Sequence, residues 1–130
     1  MLQPSEFGIF LKSKRKEAQL LQDELAKAIG KTGQYISNIE KGKNNSPPKE
    51  ADIEALIQKL ELSADDAQEF RLKAAADRQQ LPKSQMQYIT SHPSLLRLLC
   101  YAEQNNIEDN TWDTLFSKLS TEATNNPDYI

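Results

Sequence analysis

One histidine, one cysteine and 19 carboxylates are the side chains of this 130-residue chain that could carry metal, nucleophilic or acid–base chemistry. Their spacing supports none of it. His92 stands between Ser91 and Pro93 as a helix-entry residue, and with Cys100 it falls short of the four ligands of a zinc cage. Cys100 alone can close no intramolecular disulfide, and its apolar helix face suits a core or interface residue better than a redox sensor. No His-x-x-x-His, nucleophile elbow or glycine-rich phosphate loop accompanies the acids. No catalytic residue, metal or cofactor is expected. What stands out instead is a run of amides, hydroxyls and ammonium groups from Gln22 to Lys41, QDELAKAIGKTGQYISNIEK. These groups bind by hydrogen bonds and charge.

Such groups need a rigid frame, and the same window supplies one. Leu25, Ile29, Ile36 and Ile39 recur at helical spacing, and Ala26 is small where two helices must cross closely. Gly30 sits where the chain leaves the first helix, and Thr32 can cap the second. Two short helices locked at a sharp angle around a glycine turn make a helix-turn-helix, a common way to offer a helix to the DNA major groove. The alternative for this window is an ordinary helical hairpin in a bundle.

The rest of the chain is read as all-α, since almost every segment has helical periodicity and no sustained strand alternation occurs. A first helix is expected from Glu6 to Gln19, with Ser5 as cap and Phe7, Phe10 and Leu11 facing inward. After the loop Gly42 to Pro48, Ile53, Leu56, Ile57 and Leu60 mark helix four. Ser63 with Asp66 resembles a capping box for helix five, which closes a five-helix unit near Ala76. The polar stretch Asp77 to Gln80 and the pair Leu81-Pro82 then mark a boundary. Beyond it lie Met86 and Ile89 on helix six and Leu95, Leu98, Leu99 and Ala102 on helix seven, begun by Pro93. Trp112, Leu115, Phe116 and Leu119 mark helix eight. The expected organisation is residues 1–76, residues 77–122 and a disordered tail at 123–130.

A net charge of −3 hides an asymmetry. Residues 1–49 hold nine Lys or Arg against five acids, whereas residues 76–130 hold four against seven. A basic front suits docking on phosphate. Chance clustering on a solvated surface would look the same. The N-terminus lacks the order of a signal peptide and no apolar run approaches a membrane span, so a cytoplasmic protein without membrane contact is expected.

Taken in order, the KSKR end of the first helix, the Q-x-E-L-A opening of the second, the turn glycine, Y-I-S-x-I-E and the K-G-K loop resemble the XRE family of helix-turn-helix regulators, the group of the phage lambda repressor and Cro. The match covers roughly residues 6 to 76. LPKSQMQYITSHPSLLRLLCYAEQNNIEDNTWDTLFSKL also resembles the helical tail of XRE regulators encoded beside an ImmA/IrrE-type metallopeptidase. The implied fold is a five-helix, lambda-repressor-like DNA-binding domain followed by a small helical C-terminal region.

By this resemblance Thr32, Gln34, Tyr35 and Asn38 read base edges, the amides of Gln34 and Asn38 matching adenine. Gly33 departs from the pattern, where many relatives place a reading side chain; its absence lets the backbone approach or shifts readout to Gln34 and Lys31. Phosphate contacts are expected from Gln22, Lys31, Lys41, Lys43, Asn44 and Asn45. Leu21 and Gln19 replace a usual Ser/Thr cap and a usual glycine. Arg15 and Glu40 correspond to a buried structural ion pair.

These readings imply a transcriptional regulator, a repressor binding a palindromic double-stranded operator as a homodimer. Leu95, Leu96, Leu98, Leu99, Trp112 and Phe116 are the dimerisation candidates, because helix seven is apolar over too wide a stripe for one buried side. An antitoxin that blocks a partner toxin and autoregulates its operon is the alternative, and a non-DNA adaptor is a third. An adjacent metallopeptidase gene would favour a switchable repressor and an adjacent toxin gene the antitoxin.

Overall fold

The computed structural model describes residues 3–43 and 47–125, with side chains described as far as residue 122. Its described residues form eight helices and no strand: α1 Glu6–Glu17, α2 Gln22–Lys27, α3 Gly33–Lys41, α4 Glu50–Leu60, α5 Ala64–Arg78, α6 Lys83–Thr90, α7 Pro93–Gln104 and α8 Asp109–Asn125. The chain divides into two compact units, Met1–Lys83 and Ser84–Ile130. No helix among the described residues is long and apolar enough to cross a membrane.

Three of the five helices of the first unit start at a hydroxyl that satisfies one of their free N–H groups. Ser5 Oγ accepts from the Gly8 N–H at 3.0 Å, Thr32 Oγ1 from Tyr35 at 3.4 Å and Ser63 Oγ from Asp66 at 3.2 Å. Leu21 has no side-chain acceptor; there Glu24 reaches back and Oε1 accepts from the Leu21 N–H at 2.9 Å. The helix ends differ from expectation. α1 stops at Glu17 because Gln19 takes a left-handed φ of 59°. α5 runs on to Arg78, where Gln79 turns left-handed at 56°, so the unit boundary lies later than residue 76.

One core joins α1 to α5. Phe7 and Leu11 of α1, Leu25 and Ala26 of α2, Ile36 and Ile39 of α3, Ile53, Leu56 and Leu60 of α4 and Phe70 of α5 are buried together. Phe10 and Ile29 are half-buried against them. Phe7 and Phe70 meet edge to face with centroids 4.9 Å apart. Each such large apolar side chain contributes about 1.5–3 kcal/mol on burial. Gly8 lets α1 and α3 cross closely: a Cβ there would lie 2.5 Å from the Ile39 carbonyl oxygen.

The second unit is built otherwise. Pro93 opens α7 as expected, since its missing N–H costs nothing at a first helical position. No side chain described from residue 76 to 122 is fully buried. Leu95 and Trp112 are half-buried, while Leu96, Leu98, Leu99, Leu115, Leu119 and Phe116 are exposed, Phe116 by 71%. Cys100 is exposed too, so it belongs to no core within this chain. The tail expected from residue 123 begins inside α8, and residues 126–130 lie outside the described residues.

Candidate nucleic-acid interface

The geometry of the site begins with Arg15. From the last turn of α1 its Nε donates to Glu40 Oε2 at 2.8 Å and its Nη2 to Glu40 Oε1 at 3.1 Å. A third hydrogen bond runs from Nη1 to the Leu20 carbonyl at 2.9 Å. The pair is buried, with side-chain exposures of 11% and 3%. A fork-to-fork pair fixes direction as well as distance, so the end of α3 is held at a set angle to α1. Gln22, first residue of α2, adds its Nε2 to the same carboxylate at 3.1 Å. Three helices therefore converge on Glu40, and each fixes part of the position of α3.

That bond changes the part Gln22 can play. Half of its amide donor capacity is turned inward, leaving one N–H and the carbonyl oxygen for an outside ligand. Lys41 and Lys43 flank Gly42, whose φ of 77° ends α3 and turns the chain away. Both lysines are exposed and have no ion-pair partner among the described residues. Lys31 lies at the other end of α3, its ammonium 5.3 Å from the centroid of the Tyr35 ring, a cation–π distance. Asn44 and Asn45 lie outside the described residues.

On the surface of α3, Thr32 and Gln34 are exposed and Tyr35 and Asn38 half-buried. Gln34 Nε2 donates to Asn38 Oδ1 at 2.8 Å. The two amides, one turn apart, act as a unit that still offers the Gln34 carbonyl oxygen and the Asn38 amino group outward. This i, i+4 pairing was open to the sequence, because residues four apart share a helix face.

Two features were not anticipated. Lys14, counted with the basic front, is tied to Asp66 and Glu17 at 3.0 Å each. The hydrogen bond it donates to Asp66, and then that to Glu17, raises its pKa above the ordinary lysine value. With Arg15 also neutralised, two of the nine positive charges of residues 1–49 are spent inside the fold. The second is Asp23, on α2. A Cβ built on Gly33 would overlap the Asp23 carboxylate oxygen and lie 2.9 Å from its Cγ. The carboxylate occupies the place of the side chain that Gly33 lacks.

A buried frame thus holds α3, whose amide-bearing outer face is flanked by lysines without an ion-pair partner among the described residues. Residues 6–70 match the family model described as a helix-turn-helix domain. The chain belongs to that family. It is also similar to the "ImmF control region 10 kDa protein" of Bacillus phage phi105, with 38% identity over 63 residues, covering 48% of this chain and 70% of that protein. No solved structure gave a significant match. The helix-turn-helix match spans α1 to α4 and the first half of α5, and so contains the whole Arg15–Glu40–Gln22 cluster. The helices after residue 83 lie outside it.

Proposed function

We propose that this chain is a sequence-specific transcriptional regulator of the XRE type, a repressor that binds a palindromic operator as a homodimer. In this reading α3 enters the major groove, and Thr32, Tyr35 and the Gln34–Asn38 amide unit face base edges. Lys31, Lys41 and Lys43, with the free half of the Gln22 amide, hold phosphates. The observation that carries the proposal is the Glu40 cluster: three helices spend a buried charge pair and an amide on fixing the angle of one short helix whose outer face is polar. The phage protein to which the chain is similar is named for a control region, which supports a regulatory role.

Dimerisation is inferred from the second unit. Leu95, Leu96, Leu98, Leu99, Trp112 and Phe116 remain half-buried or exposed, and a patch of that kind commonly marks an interface. A single helix-turn-helix reads few base pairs, whereas two linked by symmetry read half-sites one helical turn apart.

Binding measured against salt tests the proposal. Six to eight phosphate contacts per dimer give a log–log slope of about −5 to −7, on a site found by footprinting upstream of the chain's own gene. Lys43→Ala should weaken binding to specific and random duplexes alike, and Gln34→Ala should relax preference at one base position per half-site. A slope near zero on every duplex would overturn the reading.

A further inference from the structure

Resting on the assignment of α3 as the reading helix, we infer that Asp23 of α2 is a specificity-determining residue that accepts a hydrogen bond from the N4 amino group of a cytosine in each half-site. Gly33 is the first residue of α3, the end from which a helix of this kind reaches base edges. Gly33 has no side chain to offer, and the space a Cβ would take is filled by the Asp23 carboxylate. Asp23 is exposed and has no hydrogen-bond or ion-pair partner among the described residues.

Neither adjacent helix start uses the Asp23 carboxylate as a cap. Thr32 Oγ1 accepts the Tyr35 N–H of α3, and Glu24 reaches back to the Leu21 N–H before α2. Its lone pairs are thus available at the tip of the reading helix. An ionised carboxylate only accepts hydrogen bonds. In the major groove guanine shows O6 and N7 and thymine shows O4, all acceptors that repel it. Adenine pairs one amino group with the acceptor N7, which faces the second carboxylate oxygen. Cytosine alone presents an amino donor with no acceptor beside it on its own edge. Gly33 and Asp23 therefore work as one reading element, since any side chain at 33 would push the carboxylate away.

Selection of duplexes from a random pool by the full-length chain tests the inference. The wild type should enrich a motif with one cytosine per half-site that Asp23→Ala leaves degenerate, with about a tenfold loss of preference at that position and the others retained. Asp23→Asn, with a donor and an acceptor, should move the same position toward adenine. Gly33→Ala should relax it as Asp23→Ala does. Affinity for random duplex should rise in Asp23→Ala, because a negative charge near phosphate is removed. A motif unchanged in both Asp23 variants overturns this inference and leaves the broader reading standing. No enriched motif with the wild type overturns both. Thermal melting should be within a few degrees of wild type in both Asp23 variants; if both unfold, the carboxylate serves the fold and the inference falls.

Discussion

Glu40 is the residue on which the frame of the site turns. Its carboxylate takes two donors from Arg15 and one from Gln22 while only 3% of its side chain is exposed. A buried pair of this kind adds little over a hydrophobic substitute, yet breaking it by removing one partner strands a buried charge. Glu40→Ala and Arg15→Ala should each cost about 3–5 kcal/mol of stability in urea unfolding. Replacing both together, as Arg15→Met with Glu40→Leu, should recover most of that loss, while the operator is bound less well because the angle of α3 is no longer keyed. Equal losses for the single and double replacements would show that the residues do not act as a pair. That Arg15 meets Glu40 was suggested by the family pattern alone, since 25 residues of chain separate them. The inward turn of Gln22 and the placing of Asp23 over Gly33 had no local signal at all. They arise from the crossing of α2 with α3, which brings together residues of different helices.

At the scale of helices, the apolar stripes made most elements legible: Leu25, Ile36, Ile39, Ile53, Leu56 and Leu60 fall on buried faces at the expected period. The ends were harder to read. Gln19, Glu61, Gln79 and Asn106 adopt left-handed φ of 50–59° with no glycine to announce the stop. Gly8 carries no pattern signal either, because its role appears only when α3 lies across it. Between α4 and α5 the sequence hid an ion pair, Arg71 Nε and Nη2 to the two oxygens of Glu54 at 2.7 and 2.8 Å. Nearly half of each side chain is exposed, so solvent screening limits the pair to at most about 1 kcal/mol. The Arg71 hydrogen bond holds the Glu54 carboxyl below its usual range. A lowered folded-state pKa gives stability that is present above the unfolded value and is lost as pH falls through the folded one. Glu54→Gln should therefore be slightly less stable than wild type at neutral pH, and the gap should close in acid. A gap that persists or widens below the carboxylate range would assign the cost to packing and not to charge.

For the molecule as a whole, the two units differ in how they treat apolar surface. The first encloses a shared core, although Ile9, Leu21, Leu72 and Leu81 stay exposed on it, and its last helix α5 ends in hydrogen bonds of its own, the Gln79 and Gln80 N–H groups returning to Ala76 and Ala75. Lys83 N–H donates to Glu50 Oε2 at 3.3 Å, so the chain is anchored on α4 up to that residue. The second unit leaves Leu96, Leu98, Leu99, Tyr101, Leu115, Phe116 and Leu119 exposed. A chain ending after Lys83 should then fold as a monomer and keep the cooperative melting of the first unit, because none of its buried side chains is lost. Its affinity for the full operator should fall by about 10²–10⁴, the gain that linked half-site binding supplies. Affinity for a single half-site should be the same for both chains. Sedimentation sets the mass and gel shifts on whole and half operators set the affinities. A shortened chain that stays dimeric with undiminished operator affinity would put the dimer interface on α1 to α5, and the apolar surface of α7 and α8 would then belong to a different partner.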